Sequence, residues 1–183
     1  MRASFVVAAV AAFALAAAEE YARGRSPEPI SAATRLYYGP DSDLAAVDAG
    51  LVDSAKNTID MAAYVLTDRA VIAALGRAAE RGVRVRLYLD GEESRRAGPL
   101  LGDLAATRNV VIKRKHPSRD LMHLKSYQID GRLLRSGSAN FSVSAAQYQD
   151  NDLVVIDSRA AAGRFAEEFE RIWARPDNQS FQP

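Results

Sequence analysis

Apolar and polar positions along this chain switch repeatedly between the two-residue period of a strand and the 3.6-residue period of a helix. Thr34 to Tyr38 is a short β-rich run closed by Gly39-Pro40. Leu44, Val47, Leu51 and Val52 then fall at helical spacing, with Asp41 or Ser42 placed to cap a helix running to about Ala55. Thr58 to Leu66 reads as a buried strand. Thr67-Asp68 offers the next cap, and Val71, Ile72, Leu75 and Ala78 make an apolar stripe that Gly82 stops. Val83 to Asp90 alternates as a strand does. A polar loop holding Glu92, Glu93, Arg95 and Arg96 leads to a shorter helix around Leu100 to Ala106, and Asn109 to Lys113 is a further strand. His123 to Ile129 and Arg132 to Ser136 form the arms of a hairpin turned on Asp130-Gly131. Leu153 to Asp157 is a last strand. Ala160 to Ala174 is an amphipathic helix whose Phe165, Phe169, Ile172 and Trp173 face the core. Interleaved strands and helices predict an α/β layered domain, with a mixed, largely parallel β-sheet flanked by helices. No internal repeat is present.

The ends read differently. Arg2 and the uncharged run from Ala3 to Ala18, closing on Ala16-Ala17-Ala18, fit an export signal over residues 1–18. The run is shorter than the roughly 20 residues of a spanning helix, so an uncleaved membrane anchor is the rival reading. Both place the domain outside the cytoplasm, periplasmic or secreted. Residues 19–33, with Gly24, Pro27 and Pro29, form a polar linker; the domain is expected over 34–176 and a C-terminal tail over 177–183.

With 183 residues, 48% hydrophobic and 26% charged, the chain can bury one globular core. It has no cysteine, which removes disulfides, thiolate zinc sites and thiol nucleophiles. Two histidines, His116 and His123, exclude a histidine-rich metal centre within one chain. Net charge is +1 overall, yet residues 108–135 hold eight basic and two acidic side chains, a formal +6. That placement favours a polyanionic substrate, against the alternative of an ordinary solvated face.

The segment HLKSYQIDGRLLRSGSANFS, from His123 to Ser142, carries the chemistry. Residues two apart on a strand point the same way, so His123 and Lys125 share a face, as do Ser138 and Asn140 if the chain stays extended there. The hairpin would bring the pairs together. An imidazole, a cation, a hydroxyl and an amide then suit a tetrahedral phosphate.

HLKSYQID matches the HxKxxxxD signature of the phospholipase D superfamily, and GSAN matches its GSxN extension. With YYGPDSD, TIDMAAYVLTD, RGVRVRLYLD and the stretch from DLVVID to Trp173, the chain resembles the small exported bacterial Nuc-type endonucleases from about Arg35 to Arg175. The resemblance implies metal-independent, cofactor-free phosphodiester hydrolysis in which one histidine forms a phosphohistidine and a second protonates the leaving oxygen. It assigns His123, Lys125 and Asp130 to catalysis and Ser138 and Asn140 to phosphate binding. His116 has no lysine two residues on, so the second histidine would come from another copy, in a homodimer with one shared site. In one place the chain departs from the pattern. The Glu that usually orients the nucleophilic histidine is Asn151 here, flanked by Asp150 and Asp152. Either a neighbouring Asp takes that role or turnover is slower.

Plainer roles stand beside these. Asp130 sits an odd number of positions from His123, and Asp-Gly is favoured in hairpins on conformational grounds alone. Ser138 and Asn140 are also turn formers, and His116 fits a surface loop. Tyr64 and Asp90 lie at strand ends, where α/β sites gather and where structural residues are equally common. A nucleic-acid backbone is the first substrate expected and a glycerophospholipid head group the alternative; an inactive nucleic-acid-binding module is the third reading.

Overall fold

A computed structural model describes residues 32–117 and 120–181. The expected export signal and most of the linker lie outside the described residues.

One eight-stranded sheet organises the domain, in the order β1-β7-β6-β5-β2-β3-β4-β8. Its strands are β1 (Ala33–Gly39), β2 (Thr58–Ala63), β3 (Arg84–Leu89), β4 (Val110–Arg114), β5 (Lys125–Ile129), β6 (Leu133–Ser136), β7 (Asn151–Asp157) and β8 (Gln179–Ser180). The helices are α1 (Leu44–Asp53), α2 (Arg69–Glu80), α3 (Gly91–Arg96), α4 (Gly98–Ala106), α5 (Val143–Gln147) and α6 (Arg159–Trp173).

The mixed α/β architecture is the one expected, but among the described strands parallel pairing is confined to β2-β3 and β3-β4, with one isolated parallel bridge between Leu66 and Phe141. The other five strand pairs among the described residues are antiparallel. The reason is connectivity. A parallel pair needs a helical crossover, which α2 supplies between β2 and β3, and α3 with α4 between β3 and β4. The chain then reverses, so β5 runs against β2, and β6 and β7 continue the alternation.

Local signals explain most boundaries. Asp43, not Asp41 or Ser42, caps α1 by accepting from the Ala46 N–H at 3.0 Å. Asp68 caps α2 through the Ala70 and Val71 N–H groups. Three elements depart from expectation. The polar stretch after β3 is helix α3, because Asp90 accepts from the Glu92 and Glu93 N–H groups. Acidic residues in its first turn and Arg95 and Arg96 in its last oppose the helix dipole. Ser142 caps the short α5 at the Ala145 N–H. Residues 179–180, expected in the tail, pair with β4. Asn178 draws them in, accepting from the Tyr88 hydroxyl at 2.7 Å and donating to the Ile172 and Trp173 carbonyls.

Helices cover both faces of the central strands. Ile59, Met61, Val85, Leu87 and Ile129 pack with α2 and α4 residues such as Leu75, Ala78, Leu101 and Leu104. The opposite face meets α6 through Ala62, Tyr88, Phe165, Phe169 and Ile172. Arg86 pins α6 there: it donates to Asp60 and Glu170, both at 2.6 Å, and lies over the Phe169 and Trp173 rings.

The α1–α2 face also buries an ion pair. Arg135 is 1% exposed and Asp48 2%. Arg135 donates from Nε and from one terminal nitrogen to the two carboxylate oxygens of Asp48, at 2.8 and 2.7 Å. Its other terminal nitrogen donates to the Lys125 carbonyl at 2.7 Å and the Ala139 carbonyl at 3.2 Å. Tyr127 donates its hydroxyl to Asp48 at 2.8 Å; burial and the Asp48 charge hold that phenol well above its ordinary pKa, so it stays a donor. Two buried charges cost several kcal/mol in lost hydration, which only such full pairing offsets. We therefore expect Asp48→Ala to lower unfolding free energy by about 3–5 kcal/mol, because it strands a buried guanidinium. Urea denaturation of Asp48→Ala and of Asp48→Ala with Arg135→Met checks this, the double variant losing less than the single one.

Candidate active site

The signature residues gather at one end of the sheet. The C-terminal ends of β2, β3 and β4 point there, and β5, antiparallel to β2, begins there with Lys125 opposite Ala63. His123 precedes β5 and is exposed, whereas Lys125 is 7% exposed. The Lys125 Nζ donates to the His123 carbonyl at 3.0 Å and lies 3.3 Å from both His123 ring nitrogens. An ammonium equidistant from the two nitrogens lines up with neither lone pair; it sits over the ring face. Burial, with a smaller push from Arg135, holds the Lys125 pKa below that of an ordinary lysine.

Two residues at neighbouring strand ends complete this cluster. Tyr64, directly after β2, donates its backbone N–H to the Leu124 carbonyl at 2.9 Å. Its ring centroid lies 4.5 Å from that of His123, at 52°, and 5.1 Å from the Lys125 Nζ. Asp90, after β3, is 4% exposed and accepts the Met122 N–H at 3.0 Å while capping α3. One carboxylate thereby fixes both a helix start and the residue before His123. Position at a strand end was the only sequence signal for either residue.

Ser138 and Asn140 do not share a face, because β6 ends at Ser136 and the chain bends before α5. Gly137 forces the bend. Its φ is +140°, and a Cβ there would lie 2.4 Å from the Asp152 carbonyl oxygen. Ser138 turns toward β7: its hydroxyl donates to Asn151 Oδ1 and accepts the Asp152 N–H, each at 2.9 Å. Asn140 turns inward beside Leu44, Asp48, Asp68 and Val71, and its buried Oδ1 has no hydrogen-bond partner among the described residues.

The residues around Asn151 are engaged with one another. Asn151 donates to the Ala145 carbonyl and Gln149 Oε1 while accepting from Ser138. Asp152 accepts the Ser138 N–H, and the hydrogen bonds from Ser138 hold its carboxyl below the usual range. Asp150 is exposed. Among the described residues, the ring contacts of His123 are with Tyr64 and Lys125. The strand order explains why: β7 lies two strands from β5, about 10 Å away, and Asn is a methylene shorter than Glu.

Asp130 is not brought to this cluster. It sits at the far end of β5 with φ 55°, in a turn of Asp130 to Arg132, one residue longer than a two-residue hairpin loop because Ile129 pairs with Leu133. Its carboxylate accepts the backbone N–H groups of Lys56, Asn57 and Thr58 at 2.8–3.0 Å, tying the hairpin to the start of β2. His116 is exposed in the segment after β4.

Four basic residues of the +6 segment are engaged or placed away from the site. Arg135 is buried against Asp48, and Arg132 pairs with Asp157. Lys113 lies over the Trp173 ring at 4.7 Å and donates to the Trp173 carbonyl, while Arg108 lies before β4, opposite the site end. Beside His123, Leu121 and Leu124 are exposed instead.

A family model described as cardiolipin synthase, PLD-like domain, matches residues 50–173. The mitochondrial cardiolipin hydrolase of Xenopus tropicalis is 28% identical over 127 residues, covering 69% of this chain and 60% of that protein. A phospholipase D of Rickettsia felis is 31% identical over 114 residues, covering 62% and 56%. The chain thus spans about 60% or less of the length of these curated relatives. Two solved structures share the fold: Nuc from Salmonella typhimurium, with TM-score 0.72 and 23% identity over 84% of this chain and 100% of that one, and NucT from Helicobacter pylori, with TM-score 0.75 and 20% identity over 82% and 100%.

Placement of Asp130 makes a prediction that separates its two roles. Asp130→Ala removes the acceptor of three N–H groups and should destabilise the fold by about 1–3 kcal/mol in chemical denaturation. Turnover per folded molecule should stay within about threefold of wild type, a barrier change below ~0.7 kcal/mol.

Proposed function

The chain belongs to the phospholipase D superfamily, and from that membership we propose that it is a phosphodiesterase with His123 as its nucleophile. The observation that carries the reading is the pairing of an exposed imidazole with a buried ammonium at the open end of the sheet. A His123 ring nitrogen attacks phosphorus, the bond to the leaving alkoxide breaks, and a phosphohistidine remains. Water then attacks phosphorus and frees the enzyme. Lys125 supplies positive charge beside the phosphoryl oxygens, and its site is largely closed to water, where such charge acts most strongly.

Each step needs a proton delivered to, or taken from, an oxygen. His116 lies after β4 and has no signature lysine, so we assign that proton to His123 of a second copy in a two-fold homodimer. The charge requirement is met by Lys125, which is why no metal is included in the proposal.

Nucleic acid is the first substrate, supported by the resemblance to the Nuc-type endonucleases and by the exposure of His123 at the end of the sheet. A phospholipid is the second reading, favoured by the exposed Leu121 and Leu124 beside His123 and by the relatives named cardiolipin hydrolase.

One experiment tests the reading. Purified protein in excess chelator is offered plasmid DNA, single-stranded RNA, and phosphatidylcholine vesicles with and without cardiolipin. Hydrolysis of one class, abolished by His123→Asn, is the expected result. Loss of activity in chelator would overturn the metal-free mechanism, and hydrolysis surviving in His123→Asn would overturn the nucleophile. Light scattering should give twice the chain mass; a fully active monomer would refute the shared site.

A further inference from the structure

We propose that Tyr64 is a positioning residue, whose ring sets the pose of the His123 imidazole and holds the Lys125 ammonium against it. The inference rests on His123 as nucleophile and adds how that nucleophile is oriented.

The geometry supplies the argument. His123 is exposed, and among the described residues no carboxylate or amide fixes its ring. An unrestrained imidazole would sample several rotamers, and only some aim a nitrogen at phosphorus. Tyr64 limits that freedom by contact instead of by a hydrogen bond. Its ring lies 4.5 Å from the imidazole, and its N–H is tied to the Leu124 carbonyl between His123 and Lys125. Tyr64 is thereby tied to the segment that carries His123 and Lys125.

The second part of the role is electrostatic. The Lys125 Nζ lies 5.1 Å from the Tyr64 centroid and 3.3 Å from each His123 ring nitrogen, so the three groups close a triangle. Among the described residues, the charged and titratable groups facing Lys125 are His123, Tyr64 and Arg135, with Asp48 bound to Arg135 behind it. Burial and Arg135 both disfavour the ammonium. The negative face of the Tyr64 ring acts the other way, and a cation held on an aromatic face in a desolvated site gains from it.

The test compares full-length wild type, Tyr64→Phe and Tyr64→Leu. Titration of Lys125, followed by NMR of its labelled Cε, needs no turnover. Tyr64→Phe keeps the aromatic face and should titrate as wild type does. Tyr64→Leu should titrate lower by about 0.4–1.5 pH units. Lys125 loses its proton as pH rises, so the alkaline limb of kcat should move down by the same amount. We expect kcat to fall about tenfold or more in Tyr64→Leu, with Phe restoring it and KM little changed. Should Tyr64→Leu not fold, fluorinated phenylalanines at position 64 preserve shape and weaken the negative face, and Lys125 should titrate lower with each added fluorine. A Lys125 titration unchanged in Tyr64→Leu, or flat across the fluorinated series, would overturn the proposal. Wild type inactive on every probe would sink the phosphodiesterase reading, while the titrations still decide the placement of Tyr64.

Discussion

The Arg135–Asp48 pair is the interaction on which the site depends. Arg135 uses four hydrogen bonds inside the core, two to the Asp48 carboxylate and one each to the Lys125 and Ala139 carbonyls. Lys125 belongs to one arm of the signature and Ala139 to the other. A single guanidinium thus joins the histidine–lysine segment to the GSAN bend, and Asp48 anchors both to α1. The pair is buried, so its charges must be fully matched, and full matching fixes geometry. The same cation lies near enough to lower the Lys125 pKa. Scaffold and electrostatics are therefore one arrangement here.

Around that anchor, the ends of three parallel strands deliver different parts. Tyr64 at the end of β2 packs on His123, and Asp90 at the end of β3 holds Met122. Lys115, following β4, approaches α3 so closely that a Cβ at Gly91 would lie 2.4 Å from its carbonyl oxygen. An exposed histidine is in this way supported by backbone contacts on the residues before and after it. Such support matters more where the usual orienting Glu is Asn151, whose amide is engaged with Ser138, Ala145 and Gln149.

Charge in the sequence and charge in the fold tell different stories. Eight basic residues crowd positions 108–135, yet that stretch runs through β4, β5 and most of β6. Folding sends Arg108 and Arg132 to the end opposite the site, buries Arg135, and stacks Lys113 on Trp173. Closeness along the chain becomes closeness in space only within one element. A sum over a segment crossing several elements therefore overstates the field at any one place.

Periodicity and local chemistry were enough to determine the strands, the long helices and the mixed α/β class, because burial of one face is written directly into residue spacing. The HxKxxxxD and GSxN residues likewise identified the family and the His123–Lys125 pair, which two-residue spacing keeps together on any extended segment. The plain reading of Asp-Gly also anticipated that Asp130 would serve a turn. What the tertiary structure alone decided are relations between distant segments. These are the partnership of Asp48 with Arg135, 87 positions apart, the packing of Tyr64 on His123, and the antiparallel course of most of the sheet. The bend at Gly137, which separates Ser138 from Asn140, belongs with them, since it answers to the Asp152 carbonyl on another strand. No local pattern encodes such pairings, because each depends on which surfaces the whole chain brings together.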